Sequence, residues 1–189
     1  MSAWTSMSPK TDDKRRQSDF LDVCRTCPND CCIGARPPLT LRRRRVIQNF
    51  LQHNGITVDI PFENGAYTFP SETDDGCCIF LDKTSRKCLI HSVKPETCVA
   101  GPITFDIDAE AGKLEWFLKT TEICSLAGVL YKDIESYSKH EKSAKREIRR
   151  LVQELDAEAL RAILTIDEPD TVKVGEDDVA PEVLAKLKL

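Results

Sequence analysis

Nine cysteines stand among the 189 residues, and their spacing is the feature of this chain with the most chemistry in it. Cys24, Cys27, Cys31 and Cys32 place four thiols within one short block. A second block holds Cys77, Cys78, Cys88 and Cys98, and Cys124 follows further on. Deprotonated sulfur is a strong ligand for zinc and for iron–sulfur clusters, and a Cys-x2-Cys step aims two sulfurs at one metal across a tight turn. The first block therefore reads as a metal knuckle. Adjacent side chains usually point apart, so one of Cys31 and Cys32 can serve the near centre while the other faces a second centre or the core. Nine residues separate Cys78 from Cys88, and nine separate Cys88 from Cys98. Those gaps fit ligands that a folded scaffold gathers, not a finger closed by one knuckle. Packed thiolates repel one another, so such a cluster needs a cation to be stable.

A disulfide framework is the competing use of so many cysteines. The odd count rules out complete pairing within one chain. The stretch from Met1 to Phe20 has no apolar core of a secretory signal, and no run approaches the ~20 apolar residues of a membrane span. The expected location is cytoplasmic, where a reducing environment turns cysteine density into metal ligation or redox chemistry. Packing as small hydrophobes accounts for one or two cysteines but not for their clustering.

His91 follows Cys88 at the Cys-x2-His spacing of many zinc sites, but thiols already suffice nearby, so His91 ranks as a secondary candidate. His53 and His140 lie in polar helical sequence and read as solvent-exposed. Arg42 to Arg45 form a basic run at a helix start. This is either a solvated face or a docking patch for an anionic partner, and the solvated face is the commoner case.

The elements that must position these residues alternate in period. Residues 1–18 read as a mobile tail, and Pro28, Asn29 and Asp30 as a turn within the first block. Pro37 and Pro38 precede a helix with Thr40 as its N-cap, Val46, Ile47, Phe50 and Leu51 as its apolar face and Gly55 at its end. Ile56, Val58 and Ile60 alternate as in a strand before an Asn64-Gly65 turn. Cys78 to Leu81 reads as a short buried strand, and the Pro95 region as a loop with one helical turn. Ile103, Phe105 and Ile107, then Leu114, Trp116 and Leu118, predict a hairpin about Ala111-Gly112. Helical stripes follow, with Leu130, Ile134 and Tyr137, then Ile148, Leu151, Val152 and Leu155, then Leu160, Ile163 and Leu164. The fold class this predicts is α+β, a small cysteine-rich metal-binding core with short antiparallel hairpins, packed by flanking and C-terminal helices. The expected organisation is one metal-binding domain over 19–166, with an acidic, partly mobile tail over 167–189 in which Gly175 to Val179 reads as mobile and Pro181 to Leu189 as a terminal helical turn.

On these residues the chain resembles the YkgJ-type cysteine-cluster family, whose members are described as zinc- or iron-chelating proteins. The carriers are Cys24-x2-Cys27-x3-Cys31-Cys32 followed by a helix, Cys78-Ile-Phe-Leu, Cys88-Leu-Ile-His, Lys94-Pro95-Glu96-Thr97-Cys98 with Gly101-Pro102, and Cys124. The likeness spans roughly residues 20 to 126. It implies metal ligation by Cys24, Cys27, Cys31, Cys32, Cys78, Cys88, Cys98 and Cys124, with Cys77 left over as a secondary candidate. The chain departs from the family pattern by one residue inside the first block, and His91 stands where a tyrosine is commoner.

Eight thiolates suit two tetrahedral zinc sites, two cubane clusters, or one of each. Adjacent pairs and long scaffolded gaps are unusual in simple zinc fingers, which favours an iron–sulfur cluster over Zn2+. No phosphate-cradling glycine loop, GxSxG elbow or HExxH is present. An enzyme is therefore a reading only if the metal centre is itself catalytic. Ten acidic and four basic residues from Glu154 to Leu189 leave a charge of +2 on the rest of a chain of net −4. No nucleic-acid partner is expected from that balance. Three functions remain, in this order: a metal- or cluster-binding protein for electron transfer, metal handling or sensing; a zinc-stapled protein-interaction module; and a metal-dependent redox or group-transfer enzyme.

Overall fold

Thr40 starts the first long helix as its sequence predicts. The computed structural model describes residues 22–27, 31–168 and 170–188; the expected N-terminal tail and the Pro28 to Asp30 turn lie outside them. Residues 22–26 are helical. Helix α1 runs over Leu41–His53, with the Thr40 hydroxyl accepting from the Arg43 amide at 3.0 Å. At the other end Asn54 caps it and Gly55 takes φ 62°, a left-handed conformation that only glycine adopts without strain. Ile47 and Leu51 are buried on its inner face, whereas Val46 is 36% exposed.

The chain then forms two short hairpins. Strand β1 (Phe62–Asn64) pairs antiparallel with β2 (Thr68–Pro70) around the Asn64-Gly65 turn. The expected strand over Ile56 to Ile60 is absent, and Ile60 is 67% exposed. Alternation there had no partner strand to pair with. Strand β3 (Leu81–Asp82) pairs with β4 (Lys87–Cys88), so the strand expected from Cys78 begins three residues later. A 3-10 turn, His91–Val93, and helix α2 (Glu96–Ala100) follow Cys88. Leu39, Ile47, Leu51, Phe62, Phe80 and Ile90 make a small core here, with Cys78 and Cys88 packed against it.

The larger core lies beyond. Strands β5 (Ile103–Asp108) and β6 (Lys113–Lys119) form the expected hairpin, with Ile103, Phe105 and Ile107 opposite Leu118, Trp116 and Leu114. Leu114, Trp116 and Leu118 are all buried. Helices α3 (Ser125–Leu130), α4 (Ile134–Glu154) and α5 (Ala157–Ile163) cover the sheet. Asp133 and Asp156 cap α4 and α5 with their carboxylates. Ile134, placed by its spacing in the apolar stripe, is 77% exposed because it sits at the first residue of α4, turned away from the sheet. The fold is α+β, and among the described residues no helix is long and apolar enough to cross a membrane.

The acidic stretch Gly175 to Val179, expected to be mobile, belongs largely to a strand, while the helical turn expected from Pro181 onward is present. Residues Thr171–Asp178 form β7, the third strand of the sheet beside β6, and Pro181–Leu187 form helix α6 with Val183 buried. Its carboxylates are neutralised by cations far off in sequence. Asp177 accepts from Trp116 Nε1 at 2.5 Å and pairs with Arg149 at 2.8 Å, while Asp178 pairs with Lys113 at 2.7 Å. Burial alone would raise the Asp177 carboxyl, but the Trp116 donor and the Lys145 and Arg149 charges outweigh it and hold it below the usual carboxylate range. A carboxyl lowered on folding adds stability above its unfolded pKa and loses it as pH falls through the folded one. Asp177→Asn is therefore expected to cost about 1 kcal/mol at pH 7 and less at pH 3. Urea titrations at the two pH values check it; an equal loss at both would detach the effect from the charge.

Candidate metal centre

The two cysteine blocks meet along a backbone seam. Ile33 bridges Cys77, the Gly34 amide donates to the Gly76 carbonyl at 2.8 Å, and the Cys78 amide donates to the Cys32 carbonyl at 2.7 Å. Successive residues on an extended strand face opposite sides, so this seam separates Cys77 from Cys78. Cys77 is buried at 8% exposure, and its thiol adds to the raising of the Lys83 ammonium that the Asp75 pair begins. Cys78 is half-buried against the small core.

Each remaining thiol reaches this region on its own element. Cys24 rides the helical segment 22–26 with Cys27 just after it, and Cys31 and Cys32 enter the seam. Cys88 ends β4, Cys98 sits inside α2 and Cys124 is the N-cap residue of α3. Lys94 joins the 3-10 turn to α2 and is half-buried. Ser125, the first residue of α3, donates its hydroxyl to Cys27 Sγ at 3.3 Å, which ties the first block to the far end of the family-like region.

Electrostatics show which thiols are neighbours. Burial is the first cause that raises Cys24, and the charges of Cys31, Cys124 and Cys27 raise it further against an opposing Lys94. Burial also leads at Cys124, followed among the raising influences by Cys31 and Cys27. Cys32 is pushed strongly up, first by a hydrogen bond with Cys31, then by burial and the charges of Cys31, Cys78 and Cys98. Burial pushes Cys78 to about 11 with Cys88 and Cys31 adding to it. It pushes Cys98 to about 12, with Cys31, Cys78 and Cys88 adding and Lys94 opposing. Residue Cys98 keeps an exposed edge while protein atoms crowd round its sulfur. Cys88 is likewise raised by burial, and Lys94 opposes.

One local pattern runs the other way. The backbone amides of Phe80, Ile90 and Leu126 each lie two residues beyond a cysteine (Cys78, Cys88 and Cys124), and each favours the charged sulfur. Amide donors aimed at sulfur stabilise thiolate, while burial and crowding oppose it. The amides offset only part of the rise, so all three thiols stay above the ordinary range, and a cation that displaced their protons would favour the charged sulfurs. No group of three or more His, Cys, Asp or Glu side chains among the described residues stands ready-made as an ion cage. Cys31 is the thiol whose charge acts on the most others, raising Cys24, Cys32, Cys78, Cys88, Cys98 and Cys124.

The three histidines lie in different surroundings. His91 is half-buried, and burial followed by the Lys94 charge keeps its ring below the ordinary histidine range. His53 is exposed and bonds the Asn49 carbonyl. His140, read as solvent-exposed, is instead half-buried with Nε2 on the Ala100 carbonyl at 2.9 Å, because α4 packs along α2. In the arginine run Arg42 and Arg45 are exposed, as a solvated face requires, and Arg43 is not. Arg43 is buried in ion pairs with Glu147 and Glu96, Arg42 pairs with Glu154 at 3.1 Å, and Arg44 lies over the Phe62 ring. Lys94 and Ser125 are the polar residues that sequence reading passed over. Their positions, inside the Cys88 to Cys98 stretch and directly after Cys124, were the available signal.

Comparison with known proteins places the cysteine-bearing region in a family. The CxxCxxCC family, described as a "Putative zinc- or iron-chelating domain", matches residues 23–125, more than half of the chain. The matched span opens one residue before Cys24 and closes one after Cys124, so it contains all nine cysteines. No curated protein and no solved structure matches the chain. On the strength of that span the chain belongs to the CxxCxxCC family of zinc- or iron-chelating domains.

Proposed function

We propose that the chain holds two four-thiolate centres, one on Cys24, Cys27, Cys31 and Cys124 and the other on Cys32, Cys78, Cys88 and Cys98. The observation that carries this reading is the way neighbouring thiols sort. Cys27 and Cys31 act on Cys24 and Cys124, whereas Cys78 and Cys98 act on Cys32, Cys88 acts on Cys78, and Cys78 and Cys88 act on Cys98. Cys31 acts on Cys24 and Cys124 and on all four thiols of the second set, and we place it with the first because that leaves four and four. Cys77 stays outside as a packing residue.

Four thiolates in tetrahedral array suit zinc or the corners of an iron–sulfur cluster. The donor set is all sulfur, and an adjacent pair shared between two centres places them close together. Both features favour iron–sulfur clusters, with electron transfer or sensing as the role; zinc in both centres makes the protein a stable metal-handling scaffold. Purification without air followed by a visible spectrum and elemental analysis separates the two. Broad visible absorption with iron and sulfide supports clusters; a colourless protein with stoichiometric zinc removes them and keeps the thiolate centres.

Ser125 gives this assignment a local check. A hydroxyl donor on a ligating sulfur tunes and orients it, and outer-sphere contacts of this kind typically change metal affinity about 10–100-fold. Ser125→Ala is expected to weaken retention of the first centre by that factor and to leave the second unchanged. Competition with a chelator reads it; uniform weakening of both centres would contradict the partition.

A further inference from the structure

The turn from Asp82 to Lys87 stands against the helical segment of the first cysteine block, where Arg86 Nη2 donates to the Cys27 carbonyl at 3.3 Å. Between them opens a pocket of about 360 Å³ lined by Arg25, Thr84, Ser85, Arg86 and Lys87. Among the described residues the lining carries three cationic side chains and two hydroxyls and no carboxylate. Asp22 pairs with Arg25 at 3.7 Å, and Asp82 beside Lys87 is held below its usual range by the Ser85 hydroxyl, the Thr84 amide and, further down, the Lys87 charge. Both acids stand outside the lining.

The position of this pocket matters more than its size. Arg25 lies between Cys24 and Cys27, and Lys87 directly precedes Cys88, so the basic rim borders both thiol blocks. A bare divalent cation arriving from this side meets repulsion, whereas a metal held in a complex of net negative charge is drawn in. Guanidinium forks and hydroxyls are also the groups that recognise carboxylate oxygens. A rim of this sign beside thiols that take up a cation is what an anionic metal source requires.

We propose that the pocket receives metal as an anionic polycarboxylate chelate, docked on Arg25, Arg86 and Lys87 while its metal passes to the cysteines. This rests on the metal-binding reading above. In the transfer the metal exchanges its bonds to the chelator for bonds to sulfur and keeps its oxidation state. Protons still on the thiols go to water, and the chelator leaves with its negative charge restored.

The test uses the full metal-free chain, kept from air, and follows zinc uptake from zinc citrate and from zinc chloride in a non-coordinating buffer. The comparison is between the natural sequence and the double variant Arg25→Gln/Lys87→Gln. Expected is uptake from citrate about tenfold slower in the variant, uptake from chloride no slower, equal final stoichiometry, and a difference that shrinks as salt is raised. Equal citrate rates overturn the proposal. Equal slowing from both sources also overturns it, since the substitutions would then act on the thiol segments and not on the chelate. A natural sequence that takes up zinc from neither source sinks the metal-binding reading itself.

Discussion

Replacing Cys98 by serine is expected to strip one of the two proposed centres from the chain and to unfold the smaller core around it. Cys98 lies inside α2, which packs along α4, so its sulfur connects the cysteine seam to the helical half of the molecule. Metal affinity is folding free energy wherever the unfolded chain has no formed site, and a structural zinc contributes roughly 10–16 kcal/mol in small domains. A hydroxyl in place of one thiolate removes much of that. The expected outcome is one centre lost by elemental analysis and a large drop in melting temperature. Cys77→Ser is the matched comparison, since it alters a buried thiol that the partition leaves outside both centres. Its expected cost is about 1–2 kcal/mol, with full metal content. Equal losses in the two variants would show that the spare cysteine has been misassigned.

The second large effect is expected at Arg43. Its guanidinium is buried among Glu147 of α4 and Glu96 of α2, with Glu96 fully buried and accepting the Thr40 hydroxyl at 2.8 Å. Burial raises the Glu96 carboxyl, and Thr40 and Arg43 work against that. Arg43→Ala leaves Glu147 with Arg146 and Arg150 on its own helix, but it removes the nearest cation from Glu96. Removing one partner of a buried pair costs on the order of 3–5 kcal/mol, because the remaining charge stays desolvated. Urea unfolding of the metal-loaded protein measures it. A loss below about 1 kcal/mol would mean that water reaches Glu96 and that the pair does not hold α1, α2 and α4 together.

Local features of this fold were legible in the sequence and long-range ones were not. Thr40, Asn54 and Gly55 bound α1 as their chemistry dictates, and the Ala111-Gly112 turn with alternating apolar residues gave the β5–β6 hairpin its register. These signals act over a few residues. Arg43 could not be read, because its partner Glu147 is 104 residues away and a run of arginines looks the same whether solvated or buried. Strand β7 was hidden for a similar reason: its acids are balanced by Trp116, Lys113 and Arg149 on other elements, so its composition resembles an unpaired tail. His140 was misread because a helical histidine in polar sequence gives no sign that a second helix will cover it.

The cysteine site divides along the same line. Residue type and spacing pointed to thiolate chemistry, and the family match over 23–125 supports metal chelation. The grouping into two sets depends on the seam that joins Ile33 to Cys77 and on the arrival of Cys124 beside Cys27 through Ser125. Neither is visible until the chain is folded. The same holds for Lys94, whose charge opposes the raising of Cys24, Cys88 and Cys98 together.

Native mass spectrometry of the chain purified without air tests the central claim most directly, because it counts bound centres on intact protein. The partition predicts a mass above the polypeptide by two zinc ions, two iron–sulfur clusters or one of each, falling by one centre in Cys98→Ser and by the other in Cys124→Ser. A natural sequence that flies at the bare polypeptide mass, or one that carries a single centre lost in both variants, would contradict it.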